Sequence, residues 1–348
     1  MPEIALAGDF ESGVDAVFAA AVGRHVVDAP KGRLSVQTGA MPLRDPRLPP
    51  LRSVFNAAQT IPVSFTLWHA PGQALAAGEP PNAEWIGRLR TADALLLVVS
   101  GQGGLESAAH RAATLRTELA VLDLAILEPA QQRLEERLTS GPRVDRREAG
   151  EQLAVVTRAR EALEAERPLL EGLSAREAAS LRGFGLLGAK PCAVACNAPD
   201  DEAAAIDAQR AAAHHDDWCV IGAATEAELD DLSEHDAAEF RADLGLPGLA
   251  SQRLGQALCR ALDYITFYTG NSRSVNAWLL PRGATALDAA ATIHTDLAAG
   301  FIRADAAGAD DLIAAGSMAA LRDLGQLRRV GRDYLVSDAE VIQVHFSR

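Results

Sequence analysis

The chain has 348 residues, 48% of them hydrophobic, and a formal charge of −14; that length exceeds one average domain, so two or three units with an ample core are expected. No run approaches the ~18 uncharged apolar residues of a membrane helix, and no basic flank precedes an apolar segment at the N-terminus, so a cytoplasmic protein without membrane association is expected. The acidic balance argues against nonspecific DNA binding by phosphate neutralisation, while leaving room for a local basic patch.

The first stretch, Ile4 to Ala21, reads as a short apolar strand, a tight loop between Gly8 and Gly13, and the start of a helix. Those are the parts of a phosphate-binding loop. The working pattern is G-x-x-x-x-G-K-[ST], in which the Lys reaches the β/γ-phosphates and the hydroxyl holds Mg²⁺. Both glycines stand at the right spacing here, but Val14 takes the place of the Lys and Asp15 the place of the hydroxyl.

After an irregular, proline-rich stretch, Ile61 to Trp68 reads as a second strand, and a Gly/Pro loop follows it. Ala92 to Ser100 is a continuous apolar run of the kind a buried parallel strand needs. This order predicts a doubly wound, mainly parallel α/β sheet. From Glu106 to Leu173 the sequence becomes charged and helical: Leu124, Leu127, Leu134 and Leu138 keep helical spacing, and Val156, Leu163 and Leu170 recur every seven. With a break at Ser140-Gly141-Pro142, the pattern predicts an antiparallel coiled-coil hairpin. Strand patterns return at Cys192 to Asn197 and from Trp218, so the hairpin is an insertion in the sheet domain. Past Leu262, Val275, Ala277 and Leu279 alternate as a strand, a helix runs from Thr285 to Ile293, and further strands predict a small β-grasp-like mixed sheet.

These blocks together resemble the YchF group of Obg-related P-loop NTPases, the Obg-like ATPases. The resemblance is carried by Asn276 to Asp305, with Ile293-His294-Thr295-Asp296 and Gly300 to Ala304, by the closing segment Asp333 to Phe346, by Thr38 to Leu48, and by Leu173 to Pro191. It implies a P-loop G-type domain over 1–105 and 178–261, an inserted coiled-coil hairpin over 106–177, and a TGS-like β-grasp domain over 262–348. It also implies ATP or GTP with Mg²⁺ as ligand, and the ribosome or a ribosome-associated protein as partner.

Carried over by position, the nucleotide-binding set falls on Gly8, Asp9, Gly13, Val14, Asp15, Arg33, Asn197, Asp200 and Ala223. The loop Lys becomes Val14, the metal-binding hydroxyl Asp15, and the switch I Thr lies at or near Arg33. The D-x-x-G of the third motif falls on Trp68, His69, Ala70 and Pro71, so the aspartate is an indole and the glycine has lost its N–H. The base-recognition motif survives as Asn197 to Asp200, with small residues at Gly222-Ala223-Ala224. Asn197 either bonds a purine edge or ties its own loop to the phosphate loop. Phosphoryl transfer rests on positioning and on charge stabilisation by the Lys and Mg²⁺; here the loop offers Asp9, Glu11 and Asp15 instead, and like charges 4 Å apart repel by roughly 4 kcal/mol at an effective dielectric near 20. No catalytic and no metal-binding residue is therefore expected. A pseudo-NTPase that binds the ribosome or a protein is the leading expectation. The alternatives are an active enzyme using Asp15 as metal ligand and Arg33 as the phosphate cation, and a nucleoside or nucleotide binder without hydrolysis.

In the C-terminal domain His294, Thr295 and Asp296 read first as helix-end hydrogen bonding within the fold, with partner contact, together with Arg303, as the other role open to them. His69, with no carboxylate beside it in the sequence, reads as a packing or surface residue. His214 to Asp217 lacks a further ligand at metal spacing and reads as a solvated loop. Cys192, Cys196, Cys219 and Cys259 read as buried free thiols.

Overall fold

A computed structural model describes residues 1–23, 26–28, 34–75, 81–140, 143–229, 232, 234–243 and 249–347. Its strands, in chain order, are β1 (Glu3–Gly8), β2 (Val26–Asp28), β3 (Gln37–Pro42), β4 (Gln59–Ile61), β5 (Ser64–His69), β6 (Ala94–Ser100), β7 (Cys192–Asn197), β8 (Trp218–Ile221), β9 (Tyr264–Gly270), β10 (Ser274–Pro281), β11 (Phe301–Gly308), β12 (Arg328–Val330) and β13 (Glu340–Phe346). The chain divides into two compact units, one of Pro2–Gly39 with Thr66–Pro247, the other of Met1, Ala40–Phe65 and Gly248–Arg348.

The larger unit is built on a seven-stranded sheet in the order β2-β3-β5-β1-β6-β7-β8. From β5 to β8 every pairing is parallel, as the sequence predicts, and all of β6 is buried. Such strands are apolar on both faces because helices cover both. The helix Val14–Val22 follows β1 directly and buries Val17, Phe18, Ala21 and Val22.

Two long helices, Gly104–Ser140 and Arg143–Glu164, leave this sheet and pack on each other. Arg160 reaches Gln131 at 2.9 Å while Gly150 faces Leu138, a pairing that runs in opposite directions along the two helices. Leu127, Leu134, Val156 and Leu163 form their shared core. The seven-residue repeat overreaches at its end. The second helix stops at Glu164, Glu166 turns left-handed with φ 53, and Leu169 rather than Leu170 is buried.

Where the first long helix leaves the sheet, Asp123 is fully buried. Its carboxylate accepts from Arg90 Nη1 at 2.7 Å and from the amides of Leu187 and Gly188 at 2.9 and 2.7 Å. Arg90 also donates to the carbonyls of Leu122 and Gly185. A buried ion survives only when its lone pairs are met in this way.

The smaller unit holds a six-stranded mixed sheet, β12-β11-β13-β9-β10-β4. One face carries the helix Ala286–Ile293, opened by a Thr285/Asp288 capping box, over Phe267, Leu280 and Ile342. The other carries Leu48–Phe55, Ala309–Ala315 and Met318–Asp323, which bury Leu51, Leu312 and Leu321. β4 pairs parallel with β10, and the ring of Phe55 lies against Gly270, where a Cβ would sit 2.3 Å from the ring.

Two expectations change here. The strand expected at Ile61 to Trp68 is two strands: Pro62, which has no amide to donate, separates β4 from β5, and only β5 pairs with β1. Residues 40–65, assigned in the sequence reading to the nucleotide domain, cluster instead with the C-terminal residues, through the contacts of Leu48, Leu51 and β4 just described.

Candidate functional site

The loop between β1 and the helix Val14–Val22 has the shape its glycines predict. Gly13 is left-handed at φ 72, and a Cβ there would stand 2.6 Å from Asn197 Nδ2. At Gly8 a Cβ would meet Ser12 Oγ at 2.4 Å and the carbonyl of Val98 at 2.6 Å. Both positions therefore require glycine. Within the loop, Asp9 Oδ1 accepts from the Glu11 amide at 3.0 Å, and the buried Ser12 hydroxyl donates to the Asp9 carbonyl at 2.7 Å. One backbone donor of the loop is thus already used by the loop's own carboxylate.

Asp15 lies in the first turn of the helix, where an acid is favoured by the dipole. Its Oδ1 stands 3.1 Å from Nδ1 of His69, at ion-pair distance though not aligned as a hydrogen bond. His69 is 1% exposed, faces Gln37 Oε1 from Nε2 at 2.9 Å, and lies against Phe18 with ring centroids 4.4 Å apart. Burial pushes His69 below the ordinary imidazole pKa, with Asp15 pulling partly back. A neutral ring carries one N–H, so it cannot donate to both acceptors at once. Of the two readings open to His69 in the sequence, packing or surface, its burial selects packing, and the carboxylate missing from its sequence neighbourhood is supplied by Asp15. Asp15 is remote in the chain and meets His69 only because β1 and β5 are neighbours.

Trp68, in register with Ala5, is completely buried, and the Arg88 guanidinium sits over its ring at 4.8 Å. Neither aromatic residue near the loop occupies the phosphate position as a plug: Trp68 belongs to the sheet core and Phe10 is 68% exposed.

On the other side of the loop, Asn197 at the end of β7 donates from Nδ2 to the carbonyl of Ser12 at 3.1 Å and accepts at Oδ1 from the Ala223 amide at 3.2 Å. Of the two roles open to Asn197, the tie between loops is the one made here. Asp200 is engaged by the Thr225 hydroxyl. Gly8, Asp9, Gly13, Val14, Asp15, Asn197, Asp200 and Ala223 thus come together around one loop, while Arg33 lies outside the described residues.

The magnesium triphosphate that the resemblance implies does not fit this donor set. Val14 supplies no charge, Asp15 adds a negative one in contact with His69, and Asp9 takes up a loop amide. No group of three His, Cys, Asp or Glu side chains that could hold a metal occurs among the described residues. The four cysteines are free, and burial pushes Cys196 up to about 12 and Cys192 up to about 11.

The family model YchF-GTPase_C, described as "Protein of unknown function (DUF933)", matches residues 264–347. The "Ribosome-binding ATPase YchF" of Haemophilus ducreyi is 30% identical over 348 residues, covering 93% of each chain. This chain belongs to the YchF family. A Bacillus subtilis protein of the same description is 25% identical, again over 93% of each chain. The solved "Structure of the Schizosaccharomyces pombe YchF GTPase" superposes with a TM-score of 0.79 at 18% identity, over 99% of this chain and 97% of that one. A GTP binding protein from Pyrococcus horikoshii gives 0.54 at 17% identity, over 99% and 100%. The P-loop G-domain fold is shared.

In this YchF-family chain the residues expected to meet a partner separate into two places. His294 caps the helix Thr295–Ala299, its Nδ1 accepting from the Asp296 amide at 3.1 Å. With Leu297 and Phe346 it borders a shallow cavity of about 800 Å³. Gly300 closes that edge, its carbonyl accepting from the Ser347 amide at 2.9 Å. Arg303 instead stands on β11 opposite His345. No helix among the described residues is long and apolar enough to cross a membrane.

Proposed function

We propose that this chain is a YchF-family P-loop protein that binds the ribosome and does not hydrolyse ATP or GTP. The observation that carries the reading is Asp15: where the family places a metal-binding hydroxyl, this chain has a carboxylate 3.1 Å from a buried histidine, next to Val14 in the place of the phosphate Lys. A triphosphate brought to this loop would meet repulsion from Asp9, Glu11 and Asp15 without the cation that offsets it. Ribosome binding is supported by its relatives in Haemophilus ducreyi and Bacillus subtilis, which are named ribosome-binding ATPases. The paired long helices are read as the family's inserted coiled coil and the C-terminal unit as its TGS-type domain, both serving the partner, in the cytoplasm.

Calorimetric titration with Mg²⁺-ATP and Mg²⁺-GTP is expected to give no heat of binding in the micromolar range, while the protein co-sediments with ribosomes. Micromolar binding with turnover that disappears in Gly13→Ala would overturn the reading and favour an enzyme with a rearranged site. The nucleoside-binding alternative predicts thermal stabilisation by adenosine or guanosine but not by their triphosphates; the engagement of Asn197 at both ends of its amide speaks against it.

A further inference from the structure

The contact between Asp15 and His69 that leaves no place for magnesium triphosphate has a chemistry of its own. In a neutral imidazole one nitrogen carries the proton and the other a lone pair. Nε2 of His69 faces an acceptor, Gln37 Oε1, at 2.9 Å, so the proton is on Nε2. Nδ1 is then a lone pair, buried and without a hydrogen-bond partner among the described residues. What it faces at 3.1 Å is Asp15 Oδ1, itself rich in lone pairs. Burial keeps the ring neutral by lowering its pKa, so no proton on Nδ1 bridges the two atoms.

Two acceptors this close repel, and nothing forces Asp15 to stay. Its side chain is 74% exposed in the first turn of the helix Val14–Val22, and one change of rotamer would hand the carboxylate to water. Among the described residues the carboxylate has no other partner. The arrangement becomes favourable when a cation sits against both atoms. An oxygen and a nitrogen each about 2.1 Å from one metal ion, and 3.1 Å from each other, subtend about 100°, between the octahedral and tetrahedral angles. Gln37 supplies what a metal-bound imidazole needs behind it, an acceptor that fixes the tautomer and the ring plane.

We propose that Asp15 Oδ1 and His69 Nδ1 bind a divalent cation of the zinc class in the absence of nucleotide, with water in its remaining positions and Gln37 as the positioning residue for His69. The donor set decides the class. Imidazole nitrogen suits zinc, cobalt or nickel, whereas magnesium takes oxygen ligands and keeps most of its water. Where the family resemblance implies a hard ion held together with phosphate, the residues of this chain fit a softer ion held without it. Asp9, Glu11 and Asp15, which repel a triphosphate, attract a bare cation, and the exposure of Asp15 gives the ion a path from solvent. Bound there, it ties the helix after the loop to β5. The site shares Asp15 with the reading under Proposed function but does not depend on ribosome binding.

The test uses the full chain, stripped with EDTA and titrated with Zn²⁺ or Mg²⁺ by calorimetry without nucleotide, with the visible absorption of Co²⁺ as a second readout. The wild type should bind a single equivalent of Zn²⁺, show Co²⁺ bands, and give no heat with Mg²⁺. Asp15→Ala, at an exposed position, and His69→Gln should each abolish both signals. Gln37→Leu should weaken Zn²⁺ by about tenfold, while Gln37→Glu should tighten it by raising the basicity of the ring; a merely structural Gln37 gives losses of the same sign. The proposal is overturned if the wild type takes up no Zn²⁺, if it binds Mg²⁺ as tightly, or if Asp15→Ala, melting like the wild type, keeps the affinity. Nucleotide turnover separates the two readings. Zn²⁺ held by Asp15 in a chain that also hydrolyses Mg²⁺-ATP supports this site and defeats the reading under Proposed function. No Zn²⁺ uptake in a chain inert to nucleotide defeats this site and spares that reading.

Discussion

Asp15 and His69 meet at 3.1 Å across neighbouring strands of the sheet, an exposed carboxylate against a fully buried imidazole. Because burial lowers the pKa of His69 in the folded chain, the unfolded chain binds that proton more readily. The stability contributed by the neutral ring is therefore complete above about pH 6.5 and is lost as pH falls through the lower folded value. Melting temperatures taken from about pH 8 to pH 5 should fall more steeply for the wild type than for His69→Gln. Asp15→Asn, which removes the charge that pulls the pKa partly back, should steepen the fall further. Parallel curves for all three proteins would contradict this account.

Asn197 and Gly13 hold the loop together from opposite sides. Asn197→Ala leaves the Ser12 carbonyl and the Ala223 amide without their partner and should cost about 1–3 kcal/mol in urea unfolding. Gly13→Ala introduces both a left-handed alanine and a clash with Asn197, and should cost about as much. Since the two substitutions share one contact, their costs should sum to more than the loss in the double variant.

Arg90 neutralises the buried Asp123 and also ties two carbonyls. Arg90→Met should destabilise the chain by about 3–5 kcal/mol, chiefly by leaving a buried carboxylate unpaired. Hydrogen exchange should accelerate first at Leu122 to Leu127 and at Leu187 and Gly188, whose amides bond the same carboxylate.

Val14→Lys with Asp15→Thr replaces a neutral and a negative side chain by the cation and hydroxyl of the phosphate-binding pattern. Because the loop backbone already has the required form at Gly8 and Gly13, this double variant should gain Mg²⁺-dependent binding of ATP or GTP by calorimetry. Binding should appear without turnover, since Trp68 and Pro71 still occupy the third motif.

Much of the fold is written in local pattern. The apolar run of β6, the glycine spacing of the loop and the heptads around Leu127 and Val156 each specify their element with little help from elsewhere. What local pattern does not carry is which sheet a short strand joins: Gln59–Ile61 has strand character, but its partner Ser274 to Asn276 is at the far end of the sequence. The candidate site divides in the same way. Gly13, Asp15 and Asn197 are readable from spacing and resemblance. Gln37 and the Asp15–His69 contact are not, because they depend on β3, β5 and β1 lying side by side.

The strand β4 and the helix Leu48–Phe55 complete a sheet whose remaining strands begin only at Tyr264. During synthesis from the N-terminus, Leu48 and Leu51 emerge long before Leu312 and Leu321, the residues that will cover them. Until the last strand leaves the ribosome, this early segment is a candidate client for a chaperone. The smaller unit consequently becomes native only after β13 has been made, although part of its core lies far earlier in the sequence.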